Sequence, residues 1–166
     1  NSERVMSYTI RAGNESDISS LTSVFCRSVR GTAFGEYSPA QVDAWAGRGT
    51  MERFGELFAS GLQFWLAENE SGVIGYAAVA SHGYLHSLFV LPEWQRKGVA
   101  TGLLKRSVGF AAEAGAGRLG SEVSLTAEPF FLHAGFVRER EQNVLVDGLY
   151  LKSLVMGLEI KIPGSG

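Results

Sequence analysis

The sequence predicts an α/β domain in which a mixed sheet carries helices on both faces. Three observations predict it. Apolar runs of strand character follow one another at 64–67, 73–80 and 84–91, each bounded by turn residues. Helical spacing of apolar residues precedes them, at 18–29, 38–45 and 50–58, and follows them from about 98 to 114. Strand and helix signals then alternate, at 122–125, 127–133, 136–141 and 150–159. A chain of 166 residues suits one domain with one core, expected over 6–162, and no repeat, low-complexity segment or linker divides it. Residues 1–5 and 163–166 are expected to be tails or cloning remnants.

Tyr8 to Arg11 forms a short first strand. Asn14, Glu15, Ser16 and Asp17 supply N-cap candidates for a helix with Ile18, Leu21, Phe25 and Val29 along one stripe. After a loop at 31–37, Ser38-Pro39-Ala40-Gln41 combines a capping serine, a proline at the first helical position and a capping-box glutamine. That helix carries Val42 and Trp45. Thr50 caps the next, with Met51, Phe54, Leu57 and Phe58 on its apolar face. From Leu62 the period becomes extended, and the turn Asn69-Glu70-Ser71-Gly72 folds 64–67 against 73–80 as an antiparallel hairpin. His82-Gly83 leads into 84–91, which Pro92 ends because proline has no N–H for the ladder. The helix from about Gly98 to Ala114 buries Ala100, Leu103, Leu104, Val108 and Ala111.

Composition excludes several classes. Hydrophobic residues at 45% and charged residues at 19% describe a globular chain, neither disordered nor membrane-embedded. No apolar run approaches the ~20 residues of a membrane span, and no basic-then-apolar leader opens the sequence. A cytoplasmic protein with no membrane partner is expected. The formal charge of −2 provides no electrostatic footprint for nucleic acid. A lone Cys26, in an amphipathic stretch, excludes an internal disulfide and reads as a buried structural thiol. His82, His86 and His133 lack metal-ligand spacing, so no metal is expected. Gly115-Ala116-Gly117-Arg118-Leu119-Gly120 matches G-x-G-x-x-G, but that dinucleotide fingerprint needs a strand before it and a helix after it. Here the order is reversed, so the glycines read as a helix C-cap and turn.

The most informative segment is Gln95-Arg96-Lys97-Gly98-Val99-Ala100, between a strand and a helix. The first N–H groups of a helix have no internal partner, and with the macrodipole they favour an anion. Gly98 and Ala100 allow a ligand close to the backbone. Spaced Gln-x-x-Gly-x-Ala, the segment resembles the pyrophosphate-binding signature of the GCN5-related N-acetyltransferase (GNAT) superfamily. Leu88-Phe89-Val90-Leu91-Pro92 before it, and Pro129-Phe130-Phe131 to Ala134-Gly135-Phe136 after it, strengthen the likeness. The element order matches from Tyr8 to Ile160.

The resemblance implies the GNAT acyl-CoA N-acyltransferase fold, with a central, mostly antiparallel sheet. It implies acetyl-CoA as cosubstrate and acetyl transfer to a primary amine by direct attack on the thioester. Leu88, Phe89 and Val90 would splay from the next strand, with backbone groups of Leu88 and Val90 holding the pantetheine arm and acetyl carbonyl. Beside Gln95, the N–H groups of Arg96, Lys97, Gly98, Val99, Ala100 and Thr101 would hold the pyrophosphate. Ser124 stands where many relatives have an asparagine that contacts the cofactor. Phe131 stands where many carry a tyrosine that protonates the departing thiolate, and it has no proton to give.

Tyr84 and His86, two apart on a strand, share a face. They fall where some members carry paired histidines proposed to deprotonate the amine. His86, with an ordinary pKa near 6.5, suits that task, with Tyr84 as relay or substrate contact. Water, Tyr84 or Tyr150 could replace the missing acid. Glu36, Tyr37 and Trp45 lie in the segment that covers the acceptor in relatives, where an acid beside aromatics suits a cationic amine. Several readings stay open: a small-molecule amine, a peptide or protein amine, a longer acyl group, or a non-catalytic acyl-CoA sensor, which Phe131 would fit. A homodimer through the C-terminal strands would be ordinary for the family.

Overall fold

Seven strands form a single sheet: β1 (Thr9–Ala12), β2 (Gln63–Asn69), β3 (Gly72–Ala80), β4 (Tyr84–Val90), β5 (Arg118–Ser124), β6 (Val137–Val146) and β7 (Leu149–Glu159). Their order is β1-β2-β3-β4-β5-β7-β6. Every neighbouring pair is antiparallel except β4 with β5. The helices are α1 (Ile18–Thr32), α2 (Pro39–Ala46), α3 (Met51–Ala59), α4 (Val99–Glu113) and α5 (Glu128–His133). This computed structural model describes residues 7–161, so Met6, the outer limits of the expected domain and both expected tails lie outside the described residues.

Aromatic packing fixes which helix lies on which face. Tyr76 and Phe89 are partners across β3 and β4, so their rings share a face. Phe54 of α3 lies 5.8 Å from Tyr76, and Phe25 of α1 lies 5.0 Å from Phe89, both edge-on. Trp65, whose partner Ala77 is one residue from Tyr76, turns to the opposite face and meets Phe110 of α4 at 6.3 Å. The sheet is thus covered on both sides. Among the described residues no helix is long and apolar enough to cross a membrane.

Helix starts follow the capping chemistry. Ser38 accepts the Gln41 N–H while the Gln41 side chain accepts the Ser38 N–H, and Thr50 accepts from Arg53. Before α1, Asn14 accepts the Ser16 N–H and Asp17 accepts the Asn14 N–H at 2.9 Å. Asp17 also takes two bonds from Arg11, at 2.8 and 3.0 Å. Hydrogen bonding from Arg11 is the main reason its carboxyl titrates below the ordinary 3.8. Asp17→Ala is expected to cost about 1–2 kcal/mol, mostly the lost cap, as read by urea unfolding. Because the folded carboxyl is the stronger acid, this contribution is complete above pH 3.8 and is lost as pH falls through the depressed value.

Three local expectations are corrected. β5 begins at Arg118, not 122. Gly120 and Gly157 face each other across β5 and β7, and the Arg118 guanidinium lies over both, so close that a Cβ on Gly157 would sit 2.3 Å from it. The glycines make room for a strand where they suggest a turn. β6 runs five residues beyond 141 because Asp147-Gly148, at φ 46° and 79°, closes a hairpin with β7. Met51, expected on the apolar face of α3, is 61% exposed at the helix start. The flank of that face instead carries half-buried Arg53. At the end of α4, Gly115 is left-handed and the Ala116 N–H reaches the Ala111 carbonyl, a Schellman cap.

Candidate active site

The parallel strands β4 and β5 pair only at Tyr84 with Gly120 and Leu85 with Ser121, then part. The cause lies on the other edge of β4. Ala78 pairs with Ser87 and Val79 with Leu85, so His86 is an extra residue, a β-bulge. A bulge bends its strand and increases its twist, which turns the second half of β4 from β5. The Leu91 N–H reaches the Ile74 carbonyl. By alternation Leu88 and Val90 therefore point their backbone groups away from β3 into the gap. The Val90 carbonyl is already taken there, by the Gln95 amide at 2.8 Å and the Ser28 hydroxyl at 3.1 Å. Among the described residues the Val90 N–H and both Leu88 groups face the gap without a strand partner. The gap opens a cavity of about 200 Å³, whose lining includes Leu88, Phe89, Val90, Gln95, Ala100, Ser124 and Phe131.

The turn after β4 sits at one end of this gap. Arg96 takes φ 60° and Gly98 φ 82°, and left-handed backbone at a non-glycine costs about 1 kcal/mol or more. Neither conformation is wasted. Among the described residues the N–H groups of Arg96, Lys97 and Gly98 have no protein acceptor, and those of Val99, Ala100 and Thr101 are the free donors of the first turn of α4. Arg96 and Lys97 are exposed, and the Lys97 ammonium rests 5.1 Å over the Trp94 ring.

A second cavity, of about 240 Å³, lies under α1 to α3 and includes Tyr37, Trp45, Arg48, Arg53, Tyr84, Val144 and Lys152 in its wall. Trp45, His86, Ser87, Phe89, Glu122 and Ser124 line both cavities. The two therefore meet at the bulge. His86 Nδ1 lies 2.6 Å from Ser87 Oγ, and the His86 and Tyr84 rings stand edge-on at 6.3 Å. Burial, followed by the positive field of Arg53, moves the imidazole below 6.5, with Arg48 adding to the effect and Glu122 opposing it. Burial and Glu122 push the Tyr84 hydroxyl up.

The other residues singled out by sequence are placed as follows. Tyr37 is buried, its hydroxyl donating to the Lys152 carbonyl at 2.6 Å and accepting the Leu125 N–H at 3.0 Å. Trp45 stands edge-on between Tyr37 and Phe89. Glu36 lines neither cavity, being exposed with its carboxylate on the Thr126 hydroxyl. Ser124 accepts the Ala127 N–H at 3.1 Å. Phe131 is buried between Phe130 and Phe136. Tyr150 is 65% exposed and lines neither cavity. Cys26 is half-buried, its thiol directed at the Ala46 and Gly49 carbonyls.

Sequence reasoning missed Ser87, Arg48, Arg53 and Glu122. In a regular strand Ser87 would face away from His86, and nothing in the sequence announces the bulge. Arg53 left a signal: a cation one turn before Leu57, on the edge of an apolar stripe.

Residues 34–157 match the family model of the acetyltransferase (GNAT) domain. YafP of Escherichia coli (strain K12), an uncharacterized N-acetyltransferase, is 35% identical over 147 residues, 89% of this chain and 93% of that protein. A GCN5-related N-acetyltransferase from Rhodopseudomonas palustris, also described as an aminotransferase, class-II, superposes with a TM-score of 0.86 at 24% identity, covering 91% of this chain and 94% of the other. The PaiA N-acetyltransferase from Thermoplasma acidophilum, solved with coenzyme A, gives 0.77 at 20% identity over 93% of this chain and 99% of that one. Matched over most of its length by both the family model and the E. coli relative, the chain belongs to the GNAT family and is an N-acetyltransferase.

Proposed function

We propose that the protein transfers the acetyl group of acetyl-CoA to the primary amine of a small molecule, by direct attack of the amine on the thioester. The observation that carries this is the meeting of two cavities at the bulge, one bordered by the anion-ready turn and the other closed by α1 to α3. The donors of Arg96 to Thr101 receive the pyrophosphate. The Leu88 groups and the Val90 N–H receive the pantetheine arm as an added strand. The amine enters from the second cavity, and neutral His86 takes its proton, directly or through water. A backbone N–H in the gap stabilises the tetrahedral oxyanion. Phe131 supplies no acid, but a coenzyme thiol with a pKa about that of cysteine, ~8.5, leaves without one. Tyr84 stands on the acceptor side as a further contact.

The test is thiol release from acetyl-CoA over a panel of amines, with mass detection of the N-acetyl product. Amine-stimulated release is the expected result. Release only with peptides would move the acceptor to proteins. Thermal stabilisation by coenzyme A without release under any amine would leave the acyl-CoA sensor that Phe131 favours.

A further inference from the structure

The acceptor cavity is unusual in its charges. Arg48, in the link between α2 and α3, and Arg53, in the first turn of α3, are both half-buried and both line it. None of the ion pairs among the described residues uses either guanidinium, although Arg11, Arg27, Arg30, Arg118, Arg138 and Lys152 all have carboxylate partners. Two partly desolvated like charges with ten N–H donors between them are costly to hold together without an anion. Burial and then the field of Arg48 lower the Arg53 pKa, against the opposing fields of Tyr76 and Glu56, and the guanidinium stays charged. Among the described residues the one carboxylate in the wall is Glu122, exposed on β5 at the gap within electrostatic reach of His86 and used by none of these ion pairs. Negative charge is therefore wanted on the α2–α3 side, and positive charge where the amine must react. A polyamine would set ammonium against both guanidiniums. Phe25, Phe89, Val144, Val146 and Leu151 give the rest of the wall its apolar surface, with Lys152, Ser124 and Ser153 beside them.

We propose that the acceptor is an amino acid with an apolar side chain, its carboxylate held by Arg48 and Arg53 and its amine drawn to Glu122 and His86. This rests on the acetyl-transfer reading above and narrows its substrate class.

Matched pairs test it: leucine against 3-methylbutylamine, methionine against 3-(methylthio)propylamine, phenylalanine against phenethylamine. The acids are expected to exceed their decarboxylated partners in kcat/KM by at least about tenfold. Arg53→Met is expected to raise KM for the acids about 10- to 100-fold, the worth of a charge-assisted bond pair, and to collapse the acid-to-amine ratio. Arg53→Lys should restore part of it. Equal turnover of acids and amines, or an unchanged ratio in Arg53→Met, would overturn the proposal. A second measurement separates it from catalysis: calorimetric binding of N-acetyl-leucine, N-acetyl-methionine and N-acetyl-phenylalanine to coenzyme A-saturated protein. Arg53-dependent binding without thiol release from any amine sinks acetyl transfer and keeps the carboxylate site. Absence of both sinks the site as well.

Discussion

Replacing His86 with alanine is expected to lower kcat/KM for amine acetylation by about 10²- to 10⁴-fold at pH 7, while coenzyme A affinity is kept. The ring sits on the bulge, at the one place common to both cavities. With Nδ1 engaged by Ser87, Nε2 is left to take the proton of the amine. The pH profile checks the assignment. Burial and the Arg53 and Arg48 charges disfavour the imidazolium, so the acid limb of the wild-type profile should lie below 6.5. The Glu122 carboxylate opposes them, and Tyr84 faces the same space. The sign is then fixed: the base is neutral at pH 7 and is lost as pH falls through its depressed value. Removing the positive charge of Arg53 should move that limb upward. Ser87→Ala should lower kcat by about tenfold or less, since Ser87 only orients the ring. An alanine variant of His86 with the wild-type rate and profile would remove it from the mechanism.

The second large effect is expected at the turn. Gly98→Glu should weaken coenzyme A binding by at least about 100-fold, measured by calorimetry. Two causes combine. The carboxylate would compete with the pyrophosphate for donors whose bonds to a charged group are each worth about 1.5–3 kcal/mol. A side chain at φ 82° adds about 1–2 kcal/mol of backbone strain. Gly98→Ala isolates the charge: no protein heavy atom lies within 4 Å of its Cβ, so it keeps the strain and the bulk toward the ligand but brings no competing carboxylate. Equal affinity in the glutamate variant would mean the diphosphate lies elsewhere.

The elements were legible where local chemistry decides them. Ser38 with Gln41 as a capping box, and Thr50 as a simple N-cap to Arg53, start their helices as the sequence implies, because each cap is complete within four residues. The strand-to-helix turn at 95–100 was legible because it too is contiguous in sequence. β5 was half legible, since its glycines are explained by Arg118 lying across a neighbouring strand, a relation distant in sequence. The Asp147-Gly148 turn is a local signal, but β6 is polar from Arg138 to Asn143, so no apolar alternation leads from 137 to it. The acceptor side was the least legible. Glu36 reads as an acid beside aromatics, yet the charges that line the cavity come from α3, β5, β7 and the α2–α3 link, brought together by tertiary packing alone.

The bulge has a mechanical consequence. β3 and β4 share six residue pairs and β5 and β7 share seven, but only two join β4 to β5. The sheet is two stiff leaves on a short spine. Opening them sacrifices few hydrogen bonds, so amides of β4 beyond His86 should exchange with deuterium faster than those before it. A molecule clasped between the leaves would slow that exchange on both at once.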